Sequence, residues 1–427
     1  MQSLRSEFHQ VFVRLCAGLT HNVRGTLGSS REGNLAATVS EPWPEIKWNP
    51  PSLAVREKEY YMPFFLKAAT WRRFAKVTFL VAVSALTWPA NSFADNPHMV
   101  TVMTRNMDAG TDLNYILAAI DQTTLFVGTA ETLAEVKASG IPARAARLAD
   151  EVATHKPDLI ALQEVTLWRT GPLLQPPATE VLYDQLDLLM AELAKRKLHY
   201  GIIAVQWLLD AEAPVPTQGI DLRMTDRNVI LARIDLPRSQ FKVSNVQTNV
   251  FDTIFQFGSP LLGEFVEPTG WMSVDVEILK SKFRFVNTHL ESTGVPGGEQ
   301  IQGAQVDELL AMLASRAMPV VLAGDFNANA EPGPEHTGAV ERIVAAGYSD
   351  AWDLVKPACP GYTWPLFGED QASGPTTPNE RIDLIFTGCG STFCFGRDLR
   401  VLSAERTGVR SPWASDHAGV VAGVWVK

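Results

Sequence analysis

Nine side chains of the kinds that bind metal ions, water or phosphoryl oxygens recur at the ends of short apolar runs. They are Asn106, Asp108, Glu164, His289, Asp325, Asn327, Asp383, Asp416 and His417. The plainest case is Val320-Val321-Leu322-Ala323-Gly324-Asp325-Phe326-Asn327. Its apolar half reads as a buried strand, and its polar half sits in the loop where that strand runs out. Asp325 offers an acceptor or a base, and Asn327 an amide that both donates and accepts. Gly324 permits close backbone approach. Glu164 follows the apolar run Leu159 to Leu162, so its carboxylate must be paired or metal-bound, because burying it alone is costly. There is no candidate thiolate nucleophile, no Gly-x-Ser-x-Gly elbow and no glycine-rich phosphate loop. Hard oxygen donors without thiolates suit Mg²⁺ or Mn²⁺ better than Zn²⁺. Phosphate-ester hydrolysis needs one group to activate water, several to offset charge on phosphoryl oxygens, and a metal to polarise the ester. Asp383 is a better orienter of His417 than Asp416, because adjacent side chains on a strand point apart.

Those side chains need strands and turns to carry them. Strands are expected over Met99 to Thr104, Asp158 to Leu162, Asn228 to Ala232, Phe241 to Val246, Trp271 to Leu279, Phe283 to Asn287, Arg381 to Phe386 and Gly419 to Val426. Helical periodicity marks Ala143 to His155, Thr179 to Lys197, Glu299 to Met318 and Ala339 to Ala346. Thr248 to Gly270 reads as an irregular aromatic excursion carrying Phe251, Phe255, Phe257 and Phe265. Taken singly, each polar tip is equally an ordinary Asn/Asp/Gly turn. The weight lies in the ordered set.

That set resembles the endonuclease/exonuclease/phosphatase superfamily with its DNase-I-like fold. The matching segments are Asn106-Met107-Asp108, Leu162-Gln163-Glu164, Asn228 to Arg233, Asn287-Thr288-His289-Leu290, Gly324-Asp325-Phe326-Asn327, Arg381-Ile382-Asp383 and Ser415-Asp416-His417, in the family's order. The resemblance implies an α/β (α+β) four-layer sandwich of two packed mixed β-sheets flanked by helices. It implies Glu164 as principal Mg²⁺ ligand, with Asn106, Asp108 and Asp416 close to the metal. Asp325 would orient or deprotonate water, Asn327 and His289 would hold phosphoryl oxygens, and His417, aligned by Asp383, would stabilise charge or act as base. Asn228 and Arg227 would face substrate, although a surface arginine is the plainer reading of Arg227. The substrate expected is a phosphoester: nucleic acid, a phospholipid head group or a small phosphodiester. A non-catalytic binding module on the same fold would have lost motif residues, and every one is present. A monomer is expected.

The first 94 residues differ from the rest. Lys67, Arg72, Arg73 and Lys76 precede a 12-residue apolar run, Val77 to Trp88, and Ser92-Phe93-Ala94 follows it. Basic, apolar and small-x-small regions in that order read as a secretory signal over residues 62–94, too short to span a membrane. Residues 1–61 then read as a leader that is either outside the native protein or disordered, 95–427 as the endonuclease/exonuclease/phosphatase domain, and the location as periplasmic or extracellular. N-terminal sequencing separates a product starting near Asp95 from one retaining Met1. The chain's net charge is −10 and its first 94 residues are net basic. An acidic domain opposes broad, non-specific phosphate binding. Cysteine is sparse, without zinc-type spacing; Cys389 and Cys394 could pair in an oxidising compartment, with Cys359 left over or competing for either.

Overall fold

The computed structural model describes residues 98–427, apart from Asp112, Pro260, Leu262, 315–317, 334–335, 369–373 and 390–398. The expected leader and signal segment lie outside the described residues. Strand β12 (Pro319–Asp325) is buried throughout and apolar up to Gly324, because both of its faces are covered. Val321 and Ala323 point into the core shared with the other sheet, while Val320 and Leu322 pack under the helices Gly298–Ala314 and Ala339–Ala345. Strand β2 (Leu159–Gln163) repeats this division: Leu159 and Ala161 face the central core, and Ile160 and Leu162 face the helices Ile141–His155 and Gln185–Lys195. Two sheets with helices outside each give the four layers expected.

The larger sheet has eight strands. Its order is β15 (Leu399–Thr407), β16 (Gly419–Val426), β1 (His98–Asn106), β2, β6 (Ile220–Arg233), β3 (Leu167–Pro172) and β4 (Glu180–Asp184), with β5 (Tyr200–Val215) also paired to β6. The second sheet runs β13 (Tyr348–Asp350), β14 (Asp383–Cys389), β12, β11 (Ser281–His289), β10 (Gly270–Ile278) and β7 (Phe241–Val250).

Register brings the polar tips together. β1 and β2 are parallel, with Asn106 opposite Gln163, and β11 and β12 are parallel, with His289 opposite Asp325. Four strand ends therefore open at one rim. Antiparallel β14 begins there, with Asp383 opposite Asp325. Antiparallel β16 also begins there, just after Asp416 and His417. A buried amide pair locks the sheets beneath the rim. Gln163 Nε2 donates to Asn287 Oδ1 at 2.7 Å, and Asn287 Nδ2 donates to the carbonyls of Leu162 and Val229 at 2.9 and 3.0 Å.

Several elements differ from the sequence reading. Thr179 to Lys197 is not one helix. Glu180–Asp184 is a strand paired with β3, and the helix starts at Gln185. The break is Asp184, whose carboxylate accepts from the Leu186 and Asp187 amides as an N-cap. Thr248 to Gly270 carries regular structure in its described residues: β7 extends to Val250, and β8 (Phe255–Ser259) pairs with β9 (Gly263–Glu267). Phe257 lies 5.7 and 5.3 Å from Phe255 and Phe265 by ring centroids, so these rings pack on one another. A helix at Gln122–Ala138, capped by an Asp121–Thr124 box, has no counterpart in the sequence reading. Cys389 is disulfide-bonded; Cys394 lies outside the described residues, and Cys359 is free and exposed. Among the described residues no helix is long and apolar enough to cross a membrane.

Candidate active site

Asp325 is the hub of the rim and is 1% exposed. Its Oδ2 accepts from Asn106 Nδ2 at 2.9 Å and lies 3.6 Å from His417 Nδ1 and 3.9 Å from His289 Nε2. Its Oδ1 accepts from the Asn327 amide at 2.9 Å. Asn106 also donates to Glu164 Oε1 at 2.7 Å, so one amide bridges the two carboxylates. His417 Nδ1 sits 2.9 Å from Asp383 Oδ2. His289 Nε2 is 3.2 Å from Asn327 Nδ2, which donates to the Leu290 carbonyl at 2.9 Å. The rim thus collects Asn106, Glu164, His289, Asp325, Asn327, Asp383 and His417 into one cluster of hydrogen bonds and ion pairs.

Asp108, Glu164 and Asn327 have positive φ of 60°, 52° and 48°. Non-glycine residues there are strained by roughly 1 kcal/mol or more and persist only where neighbours hold them. Glu164 Oε2 accepts from the Ala109 amide at 2.8 Å. The Asp108 carbonyl accepts from Arg144 Nη2 at 2.6 Å and Gln185 Nε2 at 2.8 Å.

Glu164, Asp325 and His417 each offer a ligand atom within 4.8 Å of one another. Burial first, then Asp416, raises the Glu164 carboxyl above its ordinary range, against the pull of His289 and His417. Such buried, undercompensated negative charge is what a divalent cation offsets. The donor chemistry fits one: Glu164 and Asp325 supply hard oxygens, and no thiolate is present. Burial alone would push the His417 ring down, but Asp383, Asp416 and Asp325 outweigh it and hold the ring well above its usual value.

The other expected residues sit less simply. Asp108 Oδ1 accepts from Gly110, and its Oδ2 lies 3.3 Å from Arg144. Asp416 Oδ2 accepts from Trp364 Nε1 at 3.1 Å and lies 4.0 Å from His417 Nε2. Asn228 is fully buried and donates to Gln206 Oε1 at 3.2 Å. Arg227 is a correction: it is not a surface residue. Its guanidinium, 3% exposed, donates to Asp184 Oδ1 at 2.6 Å and to the carbonyls of Val165 and Thr166 at 2.7 and 3.3 Å. It braces the strand ends beside Glu164, because a buried guanidinium needs this density of acceptors.

Three further carboxyls interact with His289 or with one another. Burial pushes Asp226 up to about 6 despite the pull of His289. Burial and Glu291 push Glu267 up to about 8, and burial pushes Glu291 up to about 7. Little in the residue pattern marks them, since Glu267 lies in the stretch read as irregular. Only the position of Glu291, two residues after His289, could have drawn attention.

A two-sheet sandwich whose rim gathers carboxylates, amides and two imidazoles fits the class of phosphoester hydrolases. The chain belongs to the endonuclease/exonuclease/phosphatase family, whose sequence model matches residues 135–417. It is similar to an endonuclease/exonuclease/phosphatase family protein from Leptotrichia buccalis, at 14% identity and TM-score 0.47, over 76% of this chain and 99% of that one. A Beutenbergia cavernae endonuclease/exonuclease/phosphatase is 19% identical with TM-score 0.46, over 77% and 72%. A humanized D. rerio TDP2 is 17% identical with TM-score 0.45, over 76% and 98%. No curated protein sequence matches. The family assignment rests on the sequence match.

Proposed function

We propose that this chain is a divalent-metal-dependent phosphodiesterase, with Mg²⁺ as the working ion and Mn²⁺ as a substitute. The observation that carries the reading is Asp325, buried and in reach of Asn106, His289 and His417 at once. A cation held by Glu164 and Asp325 would supply Lewis-acid polarisation of the ester and offset phosphoryl charge.

The chain's own residues do the rest. Asp325 Oδ2, fixed by Asn106, holds the attacking water and takes its proton. Asn327 and His289, 3.2 Å apart, hold the phosphoryl oxygens. His417 keeps its proton because three carboxylates surround it. Asp383 fixes the ring through Nδ1, so the protonated ring faces the substrate and donates to the departing oxygen.

The same chemistry bears on substrate size. The five buried arginines among the described residues, Arg105, Arg144, Arg227, Arg284 and Arg381, are paired with Glu151, Asp108, Asp184, Asp275 and the Asp350–Asp353–Glu331 group. They supply no open basic track for a long polyanion. A small phosphodiester or a phospholipid head group suits this site better than nucleic acid. The test is turnover of bis(p-nitrophenyl) phosphate, sphingomyelin and DNA with Mg²⁺ and with EDTA. Turnover of the first two that EDTA abolishes is the expected result. No metal-dependent turnover of any phosphoester would overturn the reading, and DNA as the preferred substrate would overturn its substrate class.

A further inference from the structure

The helix Gly298–Ala314 buries a polar side chain where its periodicity promises an apolar one. Gln302 is 0% exposed. Its Nε2 lies 3.0 Å from the Glu291 carbonyl, 3.2 Å from that of Phe326 and 2.8 Å from that of Asn327. Two amide hydrogens are therefore shared among three acceptors. Its Oε1 accepts from the Thr337 hydroxyl, which fixes the amide's orientation. The Glu291 carbonyl belongs to the turn leaving His289, and the other two belong to the turn leaving Asp325. One amide thus spans both turns from beneath. Above it, Asn327 Nδ2 and His289 Nε2 are 3.2 Å apart, and the Leu290 amide donates to the Asp325 carbonyl at 3.0 Å.

Asn327 needs such a hold. Its φ of 48° is left-handed, and its carbonyl, the one nearest Gln302, is a part-buried acceptor that this amide satisfies. Gln305, one turn further along the helix and equally buried, accepts from the Glu291 amide at 2.8 Å and donates to Thr269 Oγ1 and the Thr253 carbonyl. The Glu291 peptide is therefore gripped at both its N–H and its C=O.

We propose that Gln302 is a positioning residue for the phosphoryl-binding pair, holding the turns that carry His289 and Asn327 at one spacing from below. The inference rests on the phosphodiesterase reading for its kinetic consequence but not for its geometric one. Near-attack geometry is steep: a misplacement of about 1 Å lowers rate by up to about a hundredfold.

The experiment compares the full chain with Gln302→Leu, Thr337→Val and Leu313→Ala. Leu313 is 1% exposed on the same helix, about three turns from Gln302, so Leu313→Ala measures what core damage alone does. Kinetics on bis(p-nitrophenyl) phosphate and imidazole NMR of His289 and His417 are recorded for each. Gln302→Leu is expected to lower kcat about tenfold to a hundredfold with KM within about twofold of the parent. It should move the His289 signals and leave those of His417 in place. Thr337→Val, which keeps the glutamine but frees its amide, is expected to act in the same direction by a few-fold, and it serves as the test if Gln302→Leu does not fold. Leu313→Ala should lower Tm and leave kcat and both rings unchanged. Parental kcat and unmoved His289 signals in both amide variants would overturn the proposal. So would a kcat loss that Leu313→Ala reproduces. If the parent turns over no phosphoester, the phosphodiesterase reading fails on its own, and the His289 signals still decide whether Gln302 sets that ring.

Discussion

Glu164→Gln is expected to lower kcat/KM on a phosphodiester by on the order of 10³-fold while leaving the fold intact. The loss follows from removing a charged oxygen where charge develops in the transition state. The intact fold follows from the position of Glu164. Its carboxyl is raised by burial first and by Asp416 next, so the folded protein holds its proton more tightly than the unfolded chain does. The ionised carboxyl therefore lowers stability as pH climbs above its unfolded value. The amide keeps the shape, removes that penalty and still accepts from Asn106 through its oxygen, but its nitrogen then meets the Ala109 N–H where the carboxylate accepted. Without metal these effects oppose one another, and the Tm of Glu164→Gln should lie close to that of the parent at neutral pH. With Mg²⁺ the parent should melt higher, because a ligand that binds only the folded state raises Tm by mass action, and Glu164→Gln should have lost that response. Unchanged turnover, or an undiminished Tm response to Mg²⁺, would remove Glu164 from the metal site.

Asp383→Asn is expected to reduce kcat/KM at neutral pH by roughly 10²- to 10⁴-fold and to move the alkaline limb of the pH profile to lower pH. Burial tends to discharge the His417 ring, and Asp383 is the largest of the influences opposing it, at 2.9 Å. A histidine raised in this way adds stability that is fully present below its unfolded value and lost as pH rises through its folded one. If the protonated ring serves the leaving group, activity follows the same direction and fails on the alkaline side. Replacing the carboxylate by an amide lowers the folded value and brings that failure nearer to neutrality. Part of the lost rate should therefore return on acidification. A profile parallel to the parent's, displaced only in height, would show that Asp383 does not govern the ring's charge. An acid limb where the alkaline one is expected would make His417 a base.

Much of the rim was legible in the sequence because strand ends announce themselves. An apolar run covered on both faces stops abruptly where its polar residues reach the sheet edge, as at Ala323-Gly324-Asp325 and Leu162-Gln163-Glu164. His417 does pair with Asp383, but not for the strand-alternation reason: Asp416 and His417 lie in a bend before β16, and Asp416 Oδ2 still comes 4.0 Å from His417 Nε2. Helix and strand periodicity was a poorer guide where tertiary packing overrides it. Val181, Leu182 and Tyr183 fit a helix by spacing, yet pairing with β3 and the Asp184 cap claim them for a strand and a helix start. Gln122–Ala138 mixes small and apolar residues on all sides, so it carries little helical pattern of its own. Arg227 could not be read as buried, because its acceptors are two backbone carbonyls and an aspartate 43 residues away. Gln302 was hidden for a related reason: all the groups it donates to are main-chain carbonyls, which carry no residue signature.

The central claim is that one divalent cation sits among side chains brought together from Asn106 to His417. The most direct measurement is an anomalous difference map from crystals of the protein soaked in Mn²⁺. The expected result is a peak in contact with the carboxylates of Glu164 and Asp325, roughly 2.0–2.2 Å from each oxygen as for a hard divalent ion, and absent from crystals of Glu164→Gln. Mn²⁺ bound elsewhere, with Glu164 and Asp325 still joined through Asn106 alone, would contradict it.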